Sequence, residues 1–181
     1  TTLDFMKKFF LFLLFTQIIS SQNYTQYVNP FIGTGLNGHT YPGATVPFGM
    51  VHLSPDNGKS GWEYSSGYHY SDSIIVGFSH THLSGTGIGD LYDIQFMPST
   101  FLNNISDDEI LKHKFQSKYE HKNESASPGY YYVLLKDYNI KTELTASLRS
   151  GLQKHTFNQD GNEFVQLDLG YSKNWDTPVE T

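Results

Sequence analysis

The spacing of the apolar residues constrains the fold of this chain most strongly, because they gather in short runs rather than at helical intervals. Each run is rich in aromatic and β-branched residues and is bounded by turn-forming residues, a pattern typical of β-strands. The predicted strands cover residues 46–53, 74–80, 91–97, 130–138, 140–148, 152–157 and 164–169. Short strands separated by turns predict an all-β fold, an antiparallel β-sandwich.

The last predicted strand shows the clearest alternation of apolar and polar residues. Across residues 165–169, Val, Leu and Leu alternate with Gln and Asp, so one face of the strand is apolar and the other is wet. Residues 158–162, which precede it, are typical of a hairpin turn. No second apolar run follows, so we expect the sandwich to be incomplete at its carboxyl-terminal end.

One short helix is expected after Ser106. Ser106 and Glu109 have the spacing of a capping box, with acidic residues in the first turn and with Lys112 and Lys114 following them. A polar surface loop without a helix is the alternative for this segment.

Residues 1–21 are not expected to belong to the folded domain. Met6 opens a short basic segment, and the apolar run that follows, residues 9–15, is too short to span a bilayer. This pattern predicts a secretory signal peptide cleaved near Ser20, with the residues upstream of Met6 untranslated. A buried amphipathic helix is the alternative, but the run has no polar face. The domain therefore spans residues 22–181, and its end without a cap indicates a fragment.

Composition narrows the class of partner and the compartment. The chain has no cysteine, so it has no disulfide and no residue for lipid attachment after the signal. We therefore expect a periplasmic or extracellular product that has no membrane association once the signal is cleaved. The formal net charge of -6, without a basic stripe, argues against nucleic acid as a partner.

Two glycine motifs fail when their context is considered. Residues 33–38 match the dinucleotide-binding pattern, but Pro42 and Gly43 follow where a helix should begin. Residues 58–60 resemble the end of a phosphate-binding loop, yet Leu53 occupies the place of its first glycine. The chain also has no Gly-x-Ser-x-Gly elbow, so a serine hydrolase triad has no starting point.

His80 and His82 are two residues apart on a predicted strand, so both side chains should point to the same face. Three interpretations remain open for them: structural hydrogen bonding, hydrogen bonding to a sugar in a cleft, or a transition-metal site. A metal would need a third ligand such as His69 or Asp90. Because two ligands make a weak case, no metal site is assigned to this chain.

Trp62 lies in a polar loop where no strand register would bury a large ring. Gly61 and Glu63 flank it, and Tyr64 and Ser66 follow in the same loop. An aromatic ring presented on a loop can pack against the apolar face of a hexose. The alternative is a ring that plugs the edge of the sandwich.

Four phrases, which occur in the order typical of one enzyme family, resemble the amino-terminal domain of family 92 glycoside hydrolases, the calcium-dependent exo-acting alpha-mannosidases. The phrases are residues 28–35, 39–50, 61–69 and 78–90. The resemblance extends more weakly to the end of the chain. It implies that the loop of Trp62 forms part of the wall around the terminal mannose. Relatives often carry Trp-Asp-Trp-Cys-Ser-Gly there; Tyr64 and Ser65 replace the second tryptophan and the cysteine, which affects the preference for the leaving sugar.

The resemblance also implies where the chemistry lies. Asp56, Glu63, Asp72, Asp90 and Asp93 are available carboxylates, but their spacing singles out no acid–base pair. By resemblance, the acid, the base and the calcium ligands belong to a helical catalytic domain of the same polypeptide. No residue here is predicted to be catalytic, and the fragment alone is predicted to be inactive.

The predicted substrate-binding residues combine the two loops, and they are Gly61, Trp62, Glu63, Tyr64, Ser66, His80, His82 and Asp90. The expected function of the full-length protein is that of a secreted exo-alpha-mannosidase, with an alpha-1,2 preference, that removes terminal mannose from N-glycans or mannans with inversion. A non-catalytic carbohydrate-binding module is the alternative, because it would use the same aromatic loop without chemistry.

Overall fold

A computed structural model gives the structure of the protein. It describes residues 2, 4–9, 23–85, 87–101 and 106–172. Residues 4–9 are helical. The rest of the predicted signal peptide, including the cleavage site near Ser20, lies outside the described residues.

In the described part of the chain, strands dominate and helices are short. The strands are β1 Ser54–Asp56, β2 Ile74–Ile75, β3 Gly77–Ser79, β4 Gln95–Phe101, β5 Ser117–Lys118, β6 Glu124–Ser127, β7 Tyr130–Leu135, β8 Ile140–Ala146, β9 Gly151–Phe157 and β10 Asn162–Asp168. The α-helix Asp107–Lys112 lies between β4 and β5, and the 3₁₀ helices are Tyr24–Tyr27, Trp62–Tyr64 and His121–Asn123.

Two four-stranded antiparallel sheets form the sandwich. One has the order β1-β3-β4-β10 and the other β6-β7-β8-β9, while β2 pairs with β5 separately. The core between the sheets includes Tyr131, Val133 and Leu135, which alternate along β7, and Phe78 and Met97 from the first sheet. The predicted all-β antiparallel sandwich is therefore confirmed.

A buried carboxylate also lies in this core. Glu124, at the start of β6, accepts hydrogen bonds from the hydroxyls of Tyr68 at 2.8 Å and Tyr131 at 2.7 Å. Burial raises the pKa of Tyr131 well above its usual value of 10, so this hydroxyl keeps its proton and remains a donor.

The predicted capping box is confirmed. The Ser106 hydroxyl accepts a hydrogen bond from the backbone N–H of Glu109, and the Glu109 carboxylate accepts one from the Ser106 backbone N–H at 3.0 Å. Hydrogen bonds from the backbone and the hydroxyl of Ser106 lower the pKa of Glu109.

Two predicted strands begin later than expected. Residues 46–53 form a turn, closed by Gly49 N–H donating to the Val46 carbonyl, and then a single bridge between Ala44 and Leu53. In residues 91–97 the strand begins only at Gln95. The cause is the backbone: φ is 72° at Leu91, 73° at Tyr92 and 58° at Ile94, which is left-handed rather than extended. The predicted strand 74–80 is split into β2 and β3.

The predicted hairpin at residues 158–162 is wrong. Strand β9 pairs with β8, whereas β10 pairs with β4 over its full length, from Asn162 opposite Phe101 to Asp168 opposite Gln95. These residues therefore connect the two sheets. Turn composition indicates a chain reversal, but it does not select the partner of the next strand.

The predicted alternation in β10 is present, but its apolar side is open. Val165 is 50% exposed, Leu167 47%, and Leu169, just beyond the strand, 73%. Both β9 and β10 lie at the edges of their sheets. The sandwich is therefore open on the side where these two strands lie.

Candidate functional site

The backbone around Trp62 forms a compact turn that presents the indole ring outward. Trp62 begins the 3₁₀ helix Trp62–Tyr64, and the Gly61 carbonyl accepts a hydrogen bond from the Tyr64 N–H at 3.0 Å. Gly61 has φ 123° and Gly67, after the turn, has φ 84°, conformations that glycine adopts readily. The ring is 58% exposed, so it lies at the surface instead of filling the core.

Two distant segments pack against this ring. The His39 imidazole and the Trp62 indole are nearly perpendicular, with the ring centroids 4.8 Å apart and the planes at 84°. At Gly87 an added Cβ would overlap the benzo half of the indole, so only glycine allows this close approach. The Gly85 N–H donates to the His39 carbonyl at 2.6 Å, which joins the two segments. The surface formed by Trp62, His39, Gly85 and residues 87–90 is called the Trp62 surface below.

The predicted residues near Trp62 differ in exposure. Gly61, Glu63 and Asp90 are exposed, and the Asp90 carboxylate accepts a hydrogen bond from the Leu91 N–H at 2.8 Å. Ser66 is 1% exposed, and its hydroxyl contacts backbone carbonyls, so it fixes the loop from within. The contact between Trp62 and Gly87 therefore joins the two predicted loops in one surface.

Lys59 ties the Trp62 turn to the rest of the domain. Its ammonium lies 2.8 Å from the Asp72 carboxylate and 5.3 Å from the centre of the Tyr64 ring, which is half-buried. The hydrogen bond to Asp72 raises the pKa of Lys59, although slight desolvation opposes it. This ammonium thus remains charged and anchors Tyr64 from outside.

His82 is fully buried and belongs to an internal hydrogen-bonded group that we call the Asp56 network. Its Nδ1 donates to the His52 carbonyl at 2.6 Å, and its Nε2 lies 2.9 Å from Oδ1 of Asp56. Both ring nitrogens of His82 thus have a hydrogen-bond partner inside the chain, so the orientation of the ring is fixed. The Asp56 carboxylate also accepts from the backbone and hydroxyl of Ser79 and from the Gln95 amide.

His80 lies elsewhere, because β3 ends at Ser79 and the chain turns before His82. The prediction that the two histidines share one strand face is therefore wrong. Nδ1 of His80 donates to the Ile94 carbonyl at 2.9 Å, and the ring lines a cavity of about 280 Å³ between the sheets. His155 lines the same cavity, where burial lowers its pKa to about 4, so it is neutral at pH 7.

The residues that the structure describes contain no group of three or more His, Cys, Asp or Glu side chains that could hold a metal ion. The buried carboxylates of Asp56 and Glu124 already accept hydrogen bonds from protein donors. Calcium prefers six to eight oxygen ligands. The described residues therefore do not fit a calcium site.

The sequence did not predict two residues near Trp62: His39, which is part of the Trp62 surface, and Lys59, which contacts Tyr64. His39 lies within a family-like phrase, but its contact with Ser65 joins positions 26 residues apart. No local pattern specifies such a contact. Lys59 could have been found as the only lysine or arginine in the loop that carries Trp62.

The sandwich fold and the Trp62 surface together define a β-sandwich domain with an exposed aromatic residue beside its loops. The chain matches the family model of the glycosyl hydrolase family 92 N-terminal domain over residues 27–181. The chain therefore belongs to glycoside hydrolase family 92, of which it carries the amino-terminal domain.

Solved relatives agree with this assignment. A family GH92 alpha-mannosidase from Bacteroides thetaiotaomicron, in complex with mannoimidazole, is 41% identical with a TM-score of 0.76, over 84% of this chain and 20% of that protein. A family GH92 inverting mannosidase from the same species, strain VPI-5482, is 27% identical with a TM-score of 0.62, over 83% of this chain and 20% of that protein.

Among curated proteins, an uncharacterized secreted glycosidase from Arthroderma benhamiae is 31% identical over 144 residues, which is 76% of this chain and 18% of the relative. The chain thus spans about a fifth of the length of the relatives it matches. Within the described residues, no helix is both long enough and apolar enough to cross a bilayer.

Proposed function

We propose that this chain is the substrate-recognising, amino-terminal domain of a secreted exo-alpha-mannosidase. The full-length enzyme would remove terminal mannose, with a preference for alpha-1,2 linkages, from N-glycans or mannans, with inversion at the anomeric carbon. The observation that carries this proposal is the half-exposed Trp62 ring on a domain whose solved relatives are alpha-mannosidases. Its partners are mannose-containing glycans rather than nucleic acid or a membrane.

The Trp62 surface supplies the contacts that such a substrate needs. The Trp62 ring would pack against the apolar face of the mannose, while the exposed Glu63 and Asp90 carboxylates accept hydrogen bonds from hydroxyls. Gly61 lets the backbone approach the sugar closely. Tyr64, which Lys59 contacts, gives the surface a second aromatic ring.

The three remaining predicted residues lie deeper. Ser66 and His82 are buried and bonded inside the chain, so we propose that they support the two loops rather than touch the sugar. His80 faces the cavity between the sheets, and contact with a sugar there stays a prediction.

We place the acid, the base and the calcium ligands on a helical catalytic domain of the same polypeptide. An inverting pair needs two carboxyl groups about 6.5–9.5 Å apart on opposite sides of the glycosidic bond. Asp56 is buried in its network, whereas Glu63 and Asp90 are exposed to solvent. This chain therefore forms one wall of the site, and the other domain completes it.

The amino-terminal signal pattern supports secretion to the periplasm or the medium, and the fungal relative is described as secreted. A processed amino terminus near residue 21 on the exported protein is the expected result. Retention of the leader on a cytoplasmic protein would contradict it.

The decisive test replaces Trp62 in the full-length protein. Trp62→Ala should lower kcat/KM for a mannoside by an amount equivalent to about 1–3 kcal/mol, the loss of one aromatic contact, with the melting temperature nearly unchanged. Phe48→Ala is the control, because Phe48 is a fully exposed aromatic residue on a different loop. A collapsed melting temperature with normal kinetics in the folded fraction would show that the Trp62 ring is structural.

The alternative function is a carbohydrate-binding module, which the same exposed ring would also suit. The coding sequence beyond residue 181 separates the two, because a mannosidase requires several hundred further residues. On the enzyme proposal, the 181-residue chain alone should hydrolyse no mannoside, with or without calcium. Calcium-dependent release of mannose by this chain would overturn the assignment of chemistry to another domain.

A further inference from the structure

His39 belongs to the Trp62 surface, but the proposed function gives its imidazole no role. Its backbone is fixed: φ is 52°, and the carbonyl accepts the hydrogen bond from Gly85. The side chain is 8% exposed, and its Nδ1 lies 2.7 Å from the Ser65 hydroxyl, which is itself buried. Hydrogen bonds at the backbone and at the side chain therefore fix the position of His39.

The other ring nitrogen of His39, Nε2, is buried and has no hydrogen-bond partner among the described residues. Buried polar atoms are nearly always paired, so an unpaired one calls for an explanation. The Trp62 indole lies nearly perpendicular to the imidazole, with the ring centroids 4.8 Å apart. An N–H that points into an aromatic face is a recognised weak hydrogen bond.

We propose that His39 is a positioning residue for the sugar platform, with its Nε2–H directed at the Trp62 ring and its Nδ1 accepting from the Ser65 hydroxyl. Gly87 packs against the benzo half of the same indole, so two segments distant in sequence restrain the ring. The part of the ring that stays exposed is then offered in one orientation. The consequence for sugar affinity rests on the proposed function, but the orientation of the ring does not.

The chemistry of the side chain suggests two informative substitutions. Asparagine tolerates a left-handed backbone and places its amide near the position of Nδ1, so His39→Asn can keep Ser65 as a partner while losing the group directed at Trp62. Glutamine reaches the position of Nε2, so His39→Gln should restore part of that contact. His113→Gln is the matched control, because His113 is also edge-on to an aromatic ring, Phe101, at 4.9 Å.

The test uses full-length protein labelled with 5-fluorotryptophan, in which Trp62→Phe identifies the fluorine resonance of Trp62. We expect His39→Asn to shift and broaden this resonance, His39→Gln to recover part of the change, and His113→Gln to leave it unaltered. The dissociation constant for mannose should rise about two- to fivefold in His39→Asn, the scale of a weak hydrogen bond. The melting temperature should hardly change.

An unaltered Trp62 resonance in both His39→Asn and His39→Gln would overturn the proposal. The same holds if the His113 control moves that resonance as much as the His39 variants do. If the wild-type protein binds no mannose, the proposed function fails, but the fluorine resonance still decides whether His39 orients Trp62. Ser65→Ala provides a second variant, and it should change the resonance in the same direction as His39→Asn.

Discussion

Replacement of Asp56 by asparagine should weaken the domain through its buried network rather than through the sugar site. Both oxygens of Asp56 are used: Oδ1 by His82 at 2.9 Å and the Ser79 hydroxyl at 3.1 Å, and Oδ2 by the Ser79 N–H at 3.0 Å and the Gln95 amide at 2.9 Å. All these partners are donors. In Asp56→Asn, the amide NH₂ group replaces one carboxylate oxygen and faces two of these donors, so hydrogen-bond donors meet each other.

The magnitude follows from how far the network can relax. The amide introduced by Asp56→Asn would be tolerated best toward the Ser79 hydroxyl, which can rotate and accept a hydrogen bond from it. The substitution replaces hydrogen bonds to a carboxylate by hydrogen bonds to a neutral amide. Hydrogen bonds to charged groups are worth about 1.5–3 kcal/mol each, and a buried donor left without a partner costs about 1–3 kcal/mol. With partial relaxation we expect a loss of about 2–4 kcal/mol in the free energy of unfolding.

The assay is hydrogen exchange of the full-length protein, measured by mass spectrometry on peptides that cover β1, β3 and β4. The opening free energy of these strands should fall in Asp56→Asn, and the melting temperature should fall with it. Asp93→Asn is the control, because Asp93 is exposed and its change should stay within about 0.5 kcal/mol. Equal exchange in the two variants would show that the Asp56 network does not stabilise these strands. A loss of kcat in a fully folded Asp56→Asn protein would show that Asp56 takes part in the chemistry.

Two further outcomes are expected. Burial lowers the pKa of His155 to about 4, so this side chain takes up a proton at a higher pH in the unfolded chain than in the folded one. The contribution of neutral His155 to the free energy of unfolding should be complete above about pH 6.5 and should be lost as the pH falls toward 4. His155→Gln should flatten this dependence of the melting temperature, and an unchanged slope would contradict the burial effect. Gly87→Ala should displace the Trp62 ring and weaken mannose affinity, whereas Gly35→Ala, whose added Cβ would meet only ordinary contacts, should not; equal affinities in the two variants would show that the close approach is unimportant.

The elements that the sequence predicted well are those whose signal is local. Strand β7 alternates buried and half-buried residues from Tyr130 to Leu135, and the sequence places the strand at residues 130–138. The capping box is likewise set by two residues three positions apart, Ser106 and Glu109. In each case the information that determines the element lies within a few neighbouring residues, so a single sequence is sufficient.

The features that were not predicted depend on contacts between distant residues. The composition of residues 158–162 indicates a turn, but only pairing along β4 determines that β10 joins the other sheet. The left-handed backbone at Leu91 and Tyr92 has no signal in residue type, because such residues rarely adopt it. Tertiary contacts maintain this conformation: the Tyr92 hydroxyl donates to the carbonyl of Ser65, at the base of the Trp62 turn.

Contacts of this kind also connect the Trp62 turn to the Asp56 network. Gly67 ends the Trp62 turn, and a Cβ added there would lie 2.6 Å from Tyr92, 2.9 Å from the Asp56 carboxylate and 3.0 Å from His82. Only a glycine lets the turn approach the Asp56 network so closely. Any loosening of that network should therefore reach Trp62 through the backbone at Gly67. Two glycines of the family-like phrases thus have a packing reason: Gly67 lets the Trp62 turn approach the Asp56 network, and Gly87 lets its own segment contact the indole.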